Sequence, residues 1–284
     1  MSRYFFIIGA QKSGSTWLQR LIDSHPLFSC KGEGHFFDRL ALPIAKIVTD
    51  YNELMDTVQR TVYEGAGYYQ PISDSDFKKF LRTWIESRMI GELGQPGALV
   101  FGDKTPAYSF HLRLIKAVFP EAKFIHLIRD GRDVAVSAYF HMKRVTEVDK
   151  LPNKVPPWES LASPLLSKWH SYCQPCVEYS MQSREGDVLP VRYEDLKLNT
   201  SSTLTSVLEY LLGDSATVSK SSVERCIEAN SFSKRTGRLE GIEDSRSFLR
   251  KGVIGDWQNH FTPAMLSQCD SGPLSLLKSL GYMP

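Results

Sequence analysis

The segment Phe5–Ile22, which reads FFIIGAQKSGSTWLQRLI, decides the fold. Its first four residues are all apolar, which is typical of a strand buried on both faces of a parallel sheet. Residues 9–16 are largely polar and contain two glycines, so they predict a turn after the strand. Apolar residues then recur at helical spacing until His25 and Pro26. The segment therefore predicts a strand, a loop and a helix in that order.

A second unit of the same kind begins at Lys123–Ile128, which runs into the polar sequence RDGR and a helix over 133–141. Further strands are predicted at Ala98–Phe101 and Val188–Val191. Four helical stretches without a sheet signal lie between these units: Ala41–Thr61, Asp76–Ile90, Ser163–Ser183 and Thr203–Leu212. The alternation predicts an α/β fold, as one domain over 1–284. Its central, mostly parallel sheet is flanked by helices and carries a P-loop-like phosphate-binding loop.

Charge and cysteine content bear on the partners and the compartment. The formal net charge is +2, which provides no global attraction for nucleic acid or a membrane surface, so affinity for anions must be local. The apolar stretch Tyr4–Ala10 is too short to span a bilayer, and it lacks a signal-peptide cleavage site. Five scattered cysteines, an odd number, suit a reducing compartment. We therefore expect a cytoplasmic protein that binds neither nucleic acid nor membrane.

The loop Gly9–Thr16 favours binding of a phosphate. It follows a strand and opens a helix, a context in which backbone N–H groups and the helix N-terminus surround an anion. A nucleotide triphosphatase shows GxxxxGK[ST], with lysine directly after the second glycine. Here Ser15 has that position and Lys12 lies inside the loop. The loop is thus predicted to hold phosphate while Lys12 meets a different part of the ligand.

A second anion site is predicted where the second unit leaves its strand. Arg129 lies at the carboxyl end of that strand, the edge where open parallel sheets bind ligands, and Ser137 follows two helical turns later. A guanidinium group binds phosphate through two charge-assisted hydrogen bonds. Near the C-terminus, Arg250 and Lys251 precede Gly252, a pattern that alone indicates a solvated basic turn. Taken together, these sites predict a nucleotide phosphorylated at both ends.

Three segments together resemble the PAPS-dependent sulfotransferase family. Residues 11–18 (QKSGSTWL) are similar to the family's 5′-phosphosulfate loop, and residues 128–137 (IRDGRDVAVS) to its 3′-phosphate motif. Residues 248–257 (FLRKGVIGDW), with His260-Phe-Thr262, are similar to its C-terminal signature. In order and spacing, the three segments cover nearly the whole chain. The resemblance implies a sulfotransferase that uses 3′-phosphoadenosine-5′-phosphosulfate (PAPS), releases 3′,5′-ADP and requires no metal.

Carried over position by position, the resemblance implies the contacts to PAPS. The 5′-phosphosulfate is assigned to Lys12, Ser13, Gly14, Ser15 and Thr16. Trp17 is assigned to stacking on adenine, a contact worth about 1–3 kcal/mol. The 3′-phosphate is assigned to Arg129, Ser137, Arg250, Lys251 and Gly252. Tyr193, Ser231 and Phe232 match further nucleotide contacts less closely, and core packing is the alternative role for Trp17 and Phe232.

Two branches of the family carry different general bases. Enzymes that act on phenols and steroids use the histidine of a Lys-Thr-His run, whereas here Pro106 follows Lys104 and Thr105. Residues 31–37 (KGEGHFF) resemble instead the heparan-type segment with a glutamate base, and residues 104–108 (KTPAY) resemble its partner lysine segment. The resemblance assigns Glu33 as the general base and places Lys12 at the leaving oxygen. It places Lys104 beside the transferring group, and it makes His35 an alternative base or an orienting partner.

The sequence does not determine the identity of the acceptor, and it leaves two alternative functions. A small-molecule hydroxyl is the predicted acceptor, with an acyl chain on a carrier protein and a saccharide as alternatives. Residues 41–95 and Met142–Pro157, the latter interpreted as a long loop and lid, are predicted to shape the acceptor pocket. A P-loop nucleotide kinase and a non-catalytic nucleotide-binding protein of the same fold are the other functions. Binding of 3′,5′-ADP without magnesium would argue against the kinase, and a loss of turnover in a Glu33→Gln variant would argue against the non-catalytic protein.

Overall fold

A parallel sheet of five strands lies at the centre of the computed structural model, which describes residues 4–65, 69–91, 95–148, 150, 155–213, 218–247 and 249–283. The strands are β1 (Tyr4–Ile8), β2 (Phe28–Cys30), β3 (Val100–Lys104), β4 (Lys123–Ile128) and β5 (Val188–Arg192). Their order across the sheet is β2-β3-β1-β4-β5, and every pairing is parallel. The predicted α/β fold class with a central parallel sheet is confirmed.

Helices connect and cover the strands. In chain order, those of the described residues are α1 (Ser15–Asp23), α2 (Leu42–Thr61), α3 (Asp74–Ile90), α4 (Leu112–Val118), α5 (Gly131–Val148), α6 (Trp158–Gln182), α7 (Tyr193–Leu198), α8 (Thr200–Leu212), α9 (Lys220–Ala229), α10 (Phe232–Thr236), α11 (Pro263–Ser267) and α12 (Ser271–Ser279). A π-helical turn spans Phe36–Ala41, and 3₁₀ turns span Pro106–Phe110 and Asp256–Asn259.

The sequence of β1 is apolar throughout because both faces of this strand are buried. Phe5 and Ile7 point to one face of the sheet, where they pack with apolar residues of α1, α8 and α9. Tyr4, Phe6 and Ile8 point to the other face, where they pack with residues of α3 and α4. Both faces are therefore covered, and an alternating polar pattern would bury polar groups without partners.

Three local predictions differ from the structure. The strand β3 begins at Val100 rather than Ala98, and the three-residue strand β2 was not predicted. The predicted loop over Met142–Pro157 is wrong for residues 142–148, which continue the helix α5. Met142, Lys143, Glu147 and Val148 are exposed, so the charged composition there reflects a solvated helix face. Residues 149 and 151–154 of the predicted loop lie outside the described residues.

All parallel strands end at the same edge of the sheet, and this edge positions the predicted residues. The loop Gly9–Thr16 follows β1, Lys104 ends β3, Arg129 follows β4 and Tyr193 follows β5. The register pairs Ile7 with Lys104 and Ile8 with His126, so the neighbouring loops emerge at similar heights. Ligand sites of open α/β sheets form at this edge.

Candidate active site

One cleft at the carboxyl edge of the sheet collects most of the predicted site residues. Of the residues assigned to nucleotide contacts, those that line it are Lys12, Gly14, Ser15, Thr16, Trp17, Arg129, Ser137, Tyr193, Phe232, Arg250, Lys251 and Gly252. Glu33 lines the same cleft. Ser13 and Ser231 do not belong to the described lining. Ser13 is fully buried, and the side chain of Ser231 caps α10 by accepting the N–H of Lys234.

The loop after β1 has a backbone shape that depends on glycine. Gly14 has a left-handed φ of 94°, and a Cβ atom there would lie 2.5 Å from the ring of Tyr193. A side chain at Gly14 would therefore collide with a residue of the opposite wall. Among the described side chains, none caps the N-terminus of α1, which begins directly after this glycine. The first N–H groups of α1 are therefore available to an anion in the cleft.

Lys12 lies in the wall of the cleft among other cations. Its backbone is left-handed, with φ of 69°, which turns the chain sharply within the loop. Burial, together with the positive charges of Arg144, Arg129 and Lys104, lowers the pKa of Lys12 to about 8. A dianionic group beside Lys12 would be stabilised by this concentration of positive charge.

Arg129 connects the loop after β1 with the C-terminal part of the chain. Its guanidinium group donates to the backbone oxygens of Lys12 (3.3 Å) and Val253 (3.1 Å). The same group lies 4.3 Å from the centre of the Tyr193 ring and 3.6 Å from the carboxylate of Asp133. Arg129 is thus fixed on several sides, which limits the conformational entropy it loses when it binds an anion.

The carboxylate of Asp133 fixes the predicted C-terminal signature onto α5. It accepts the backbone N–H groups of Gly255 (2.8 Å) and Trp257 (2.9 Å), and its side chain is 1% exposed. Arg132, in contrast, pairs with Asp130 at 2.6 Å, and both side chains are buried.

Arg250 and Lys251 lie side by side on a shared carboxylate. The guanidinium group of Arg250 contacts Asp256, whose other oxygen lies 2.9 Å from the ammonium group of Lys251. Burial opposes ionisation of Asp256, but hydrogen bonds from Lys251 and Arg250 outweigh it and hold its pKa well below the usual range. Glu243 adds a second carboxylate, 2.9 Å from Arg250 and 3.4 Å from Lys251. Phe248, the first residue of the predicted signature, lies outside the described residues.

At the other end of the cleft, Glu33 belongs to a row of four charged or titratable groups. Its carboxylate contacts the ammonium group of Lys104 and lies 3.4 Å from Nε2 of His35. His35 Nδ1 lies 2.9 Å from the carboxylate of Asp38. Glu33 is the most accessible carboxylate of the row, with its side chain 42% exposed against 12% for Asp38. Lys104, whose side chain is 4% exposed, and His35 do not belong to the described lining.

His141 and Asp38 are residues of this site that the sequence analysis missed. His141 lines the cleft one helical turn after Ser137, and the i, i+4 spacing on α5 could have revealed it. Burial lowers the pKa of His141 to about 4, and the charges of Lys12 and Arg144 add to the effect. Arg144 donates towards Nδ1 of His141 at 3.2 Å. Near neutral pH, His141 therefore presents a neutral imidazole to the cleft.

The described residues contain neither a candidate membrane span nor a candidate metal cluster. Within the described ranges, no helix has both the length and the apolar character needed to cross a bilayer. The same part of the chain contains no group of three or more histidine, cysteine, aspartate or glutamate residues arranged to hold a metal ion.

The chain was compared with known proteins. The model of a family described as the sulfotransferase family matches residues 5–213. The 3-alpha-hydroxysteroid sulfotransferase of Cavia porcellus is 32% identical over 202 residues, which are 66% of this chain and 68% of the relative. The crystal structure of mouse sulfotransferase SULT7A1 complexed with PAP gives a TM-score of 0.58 at 18% identity, covering 98% of this chain and 85% of that one. The sulfotransferase domain of the olefin synthase from Synechococcus PCC 7002 gives 0.56 at 17%, covering 99% and 95%.

The structural matches are too distant in sequence to show more than the fold. The family match, in contrast, covers well over half of the chain and includes the loop after β1 and the segment around Arg129. It shows that the chain belongs to the sulfotransferase family, as an enzyme that takes its sulfuryl group from PAPS.

Proposed function

We propose that the enzyme transfers the sulfuryl group of PAPS to the hydroxyl of a small-molecule acceptor, with Glu33 as the general base. One observation carries this proposal: Glu33 and Lys12 line the same cleft as the cations assigned to the nucleotide. A base and a leaving-group cation on one cleft suit an in-line displacement between them. We call Arg129, Ser137, Arg250, Lys251 and Gly252 the 3′-phosphate end of the cleft. We call Lys12, Glu33, His35 and Lys104 its transfer end.

The orientation of PAPS follows from the distribution of cations and aromatic rings. We assign the 3′-phosphate to the 3′-phosphate end and the 5′-phosphosulfate to the loop after β1. Arg129 supports this assignment because it bonds to the backbone of both Lys12 and Val253, which fixes the distance between the two sites. Trp17 and Phe232, both in the cleft lining, are assigned to the adenine. The PAP in the mouse structure, adenosine 3′,5′-bisphosphate, is the product expected from such a donor.

The chemical step requires one proton transfer and one sulfuryl transfer. The acceptor oxygen attacks sulfur and forms the new O–S bond, and its proton passes to the carboxylate of Glu33. The bond between sulfur and the 5′-phosphate oxygen breaks, and Lys12 stabilises the negative charge on that oxygen. Lys104, in contact with Glu33, holds the carboxylate that accepts the proton. His35, held by Asp38, lies close enough to Glu33 to orient it.

The acceptor is proposed as a small alcohol or phenol. The relative from Cavia porcellus is named for hydroxysteroids, and the Synechococcus domain belongs to an olefin synthase. These names support an acceptor hydroxyl on a mainly apolar molecule. A carrier-bound acyl chain and a saccharide are the alternative acceptors, and the test includes both. The pocket reaches this end beside Glu33, Pro106 and His141, which leaves a mixed apolar and polar surface for the acceptor.

The test combines labelled PAPS with a panel of acceptors. The panel contains 4-nitrophenol, a 3-hydroxysteroid, glucosamine and a 3-hydroxyacyl carrier protein. We expect turnover with the phenol or the steroid, and Glu33→Gln should lower it about 100-fold or more because general-base catalysis contributes 10² to 10⁴. Binding of 3′,5′-ADP, measured by calorimetry without magnesium, should change less than about threefold, since the base does not hold the nucleotide.

His35→Gln provides the matched control at the neighbouring position. If Glu33 is the base, the His35 variant keeps a larger share of the turnover than the Glu33 variant. Full turnover in Glu33→Gln, or a larger loss in His35→Gln, would contradict the assignment of the base. Transfer to glucosamine or to the carrier protein alone would contradict the proposed acceptor class.

A further inference from the structure

The loop that carries Glu33 has no regular secondary structure of its own. It connects β2 to the π-helical turn at Phe36, and its residues Gly32 and His35 have positive φ values of 135° and 50°. A left-handed histidine is disfavoured and persists only where the surroundings fix it. The backbone N–H groups of such a loop must also find partners outside it.

Those partners come from one segment, residues 103–108, at the end of β3. The N–H of Gly34 donates to the carboxylate of Asp103 at 2.8 Å, and the N–H of His35 donates to the hydroxyl of Thr105 at 3.4 Å. The N–H of Phe36 donates to the hydroxyl of Tyr108 at 2.9 Å. Three consecutive amides after Glu33 are therefore each held by a different side chain.

The three side chains are also connected to one another through Asp103. Thr105 donates its hydroxyl proton to Asp103 at 2.8 Å, and the hydroxyl of Tyr108 interacts with the same carboxylate. Because the Thr105 hydroxyl has only one proton, donation to Asp103 turns its lone pairs towards the amide of His35. Asp103, Thr105 and Tyr108 are all buried, so water does not replace these bonds.

The backbone of the loop and the side chain of Glu33 are fixed by the same segment. The N–H of Lys104 donates to the backbone oxygen of Gly32 at 3.0 Å, and the ammonium group of Lys104 contacts Glu33 itself. At Gly34, a Cβ atom would lie 2.8 Å from the carboxylate of Asp103, so the close approach requires glycine. Residues on both sides of Glu33 are thus anchored to residues 103–108.

We propose that Asp103, Thr105 and Tyr108 are positioning residues that hold Glu33 in the geometry for proton transfer from the acceptor. The proposal rests on the proposed role of Glu33 as the base. None of the three is assigned a contact with PAPS. They act on the reaction through Glu33, and we call them the Glu33 clamp.

The sharpest test replaces the hydroxyl of Thr105 while keeping its shape. Thr105→Val removes the bonds to Asp103 and to the His35 amide, whereas Thr105→Ser, the matched control, keeps the hydroxyl. Because a displacement of about 1 Å costs on the order of 100-fold in rate, we expect kcat of Thr105→Val to fall about 10- to 100-fold. The Kd for 3′,5′-ADP should stay within about twofold, and Thr105→Ser should restore most of kcat.

Activity is measured with labelled PAPS and the best acceptor of the panel above, or with PAPS hydrolysis by water if none responds. In a Glu33→Gln background, Thr105→Val should cause no further loss, because the clamp acts through Glu33. Hydrogen exchange of the amides of residues 34–36 should become faster in Thr105→Val but not in Thr105→Ser.

The outcomes separate the two proposals. If Glu33→Gln keeps full turnover, the base assignment fails and the clamp proposal fails with it. If Glu33→Gln loses turnover but Thr105→Val has normal kcat with faster exchange, only the clamp proposal is overturned. If Thr105→Val does not fold, Tyr108→Phe, which removes a single hydroxyl, takes its place. Normal kcat in a folded Tyr108→Phe would then overturn the proposal.

Discussion

The two ends of the cleft hold their charged side chains by different means. At the 3′-phosphate end, cations are held by buried carboxylates: Arg250 and Lys251 share Asp256, and Arg129 lies against Asp133. The partners are close in sequence, separated by four to six positions. Each of these ion pairs therefore lies within one local segment, and Asp133 joins the two segments by accepting the N–H groups of Gly255 and Trp257.

At the transfer end, the important group is a carboxylate, and backbone contacts hold its loop. Glu33 and its partner Lys104 are 71 positions apart, and the contacts of the Glu33 clamp to the loop span 69 to 72 positions. The geometry of this end depends on the pairing of β2 with β3, which aligns the two distant segments. The comparison indicates that changes at the 3′-phosphate end alter binding, while changes at Glu33 and its clamp alter turnover. Lys12 is assigned to the 5′-phosphosulfate, so a change there alters binding as well.

The largest effect on binding is expected from Arg129→Ala. The substitution removes the proposed phosphate contact and also the bonds to the backbone of Lys12 and Val253. Truncating a hydrogen-bonded charged partner costs about 2–5 kcal/mol, so the Kd for 3′,5′-ADP should rise about 30-fold or more. Calorimetry measures it, with the exposed residue Lys46→Ala as a control that should bind normally. A change of less than about threefold would remove Arg129 from the nucleotide site.

A smaller effect is expected from pH, because the pKa of Lys12 is lowered to about 8 mainly by burial. A bound phosphate or phosphosulfate raises that pKa, so binding above pH 8 must take up a proton. Affinity for 3′,5′-ADP should therefore be constant between pH 7 and 8 and fall by up to about tenfold per unit above pH 8. Calorimetry in buffers of different ionisation enthalpy measures both the affinity and the proton uptake.

Lys12→Met provides the control for this pH dependence. It should bind 3′,5′-ADP more weakly, and its affinity should not change between pH 7 and 9.5. An unchanged slope in Lys12→Met would assign the proton to another group and would weaken the distinction between the two ends of the cleft.

The same comparison explains how much could be predicted from the sequence. The strand β1, the loop after it and the helix α1 were predicted well because a buried strand and a glycine-containing turn are encoded locally. The strand β2 was missed because it has three residues, and its pairing with β3 defines it. The extension of α5 over 142–148 was missed because charged residues of a solvated helix face resemble those of a loop.

For the site, the sequence predicted which residues take part but not the hydrogen bonds that join them. Lys12, Arg129 and Glu33 line one cleft, and their proposed roles stay predictions. A motif cannot show which atoms of a residue face a ligand: Ser13 is fully buried and outside the described lining, and its assignment stays a prediction. The hydrogen bonds of Asp103 to the loop of Glu33 join distant segments, and only the folded sheet reveals them.

The smallest effect is predicted for a substitution of Glu243. It tests whether Glu243, like Asp256, holds Arg250 and Lys251 in place for the 3′-phosphate. Asp256 is buried between Arg250 and Lys251, whereas Glu243 lies at the surface, with its side chain 37% exposed. We infer that Glu243 competes with the 3′-phosphate for these cations, since its partners are the proposed phosphate ligands. Exposed ion pairs contribute about 0–1 kcal/mol, so Glu243→Gln should strengthen binding of 3′,5′-ADP up to about fivefold.

Glu147→Gln is the matched control, because Glu147 is an exposed carboxylate paired with Arg246 and outside the cleft lining. It should leave the Kd unchanged at the same ionic strength. The gain in Glu243→Gln should shrink as salt is added, because screening already weakens an exposed ion pair. Weaker binding in Glu243→Gln would mean that Glu243 orders Arg250 and Lys251 in the same way as Asp256. The 3′-phosphate end would then depend on two organising carboxylates, one of them carried by the loop before the C-terminal signature.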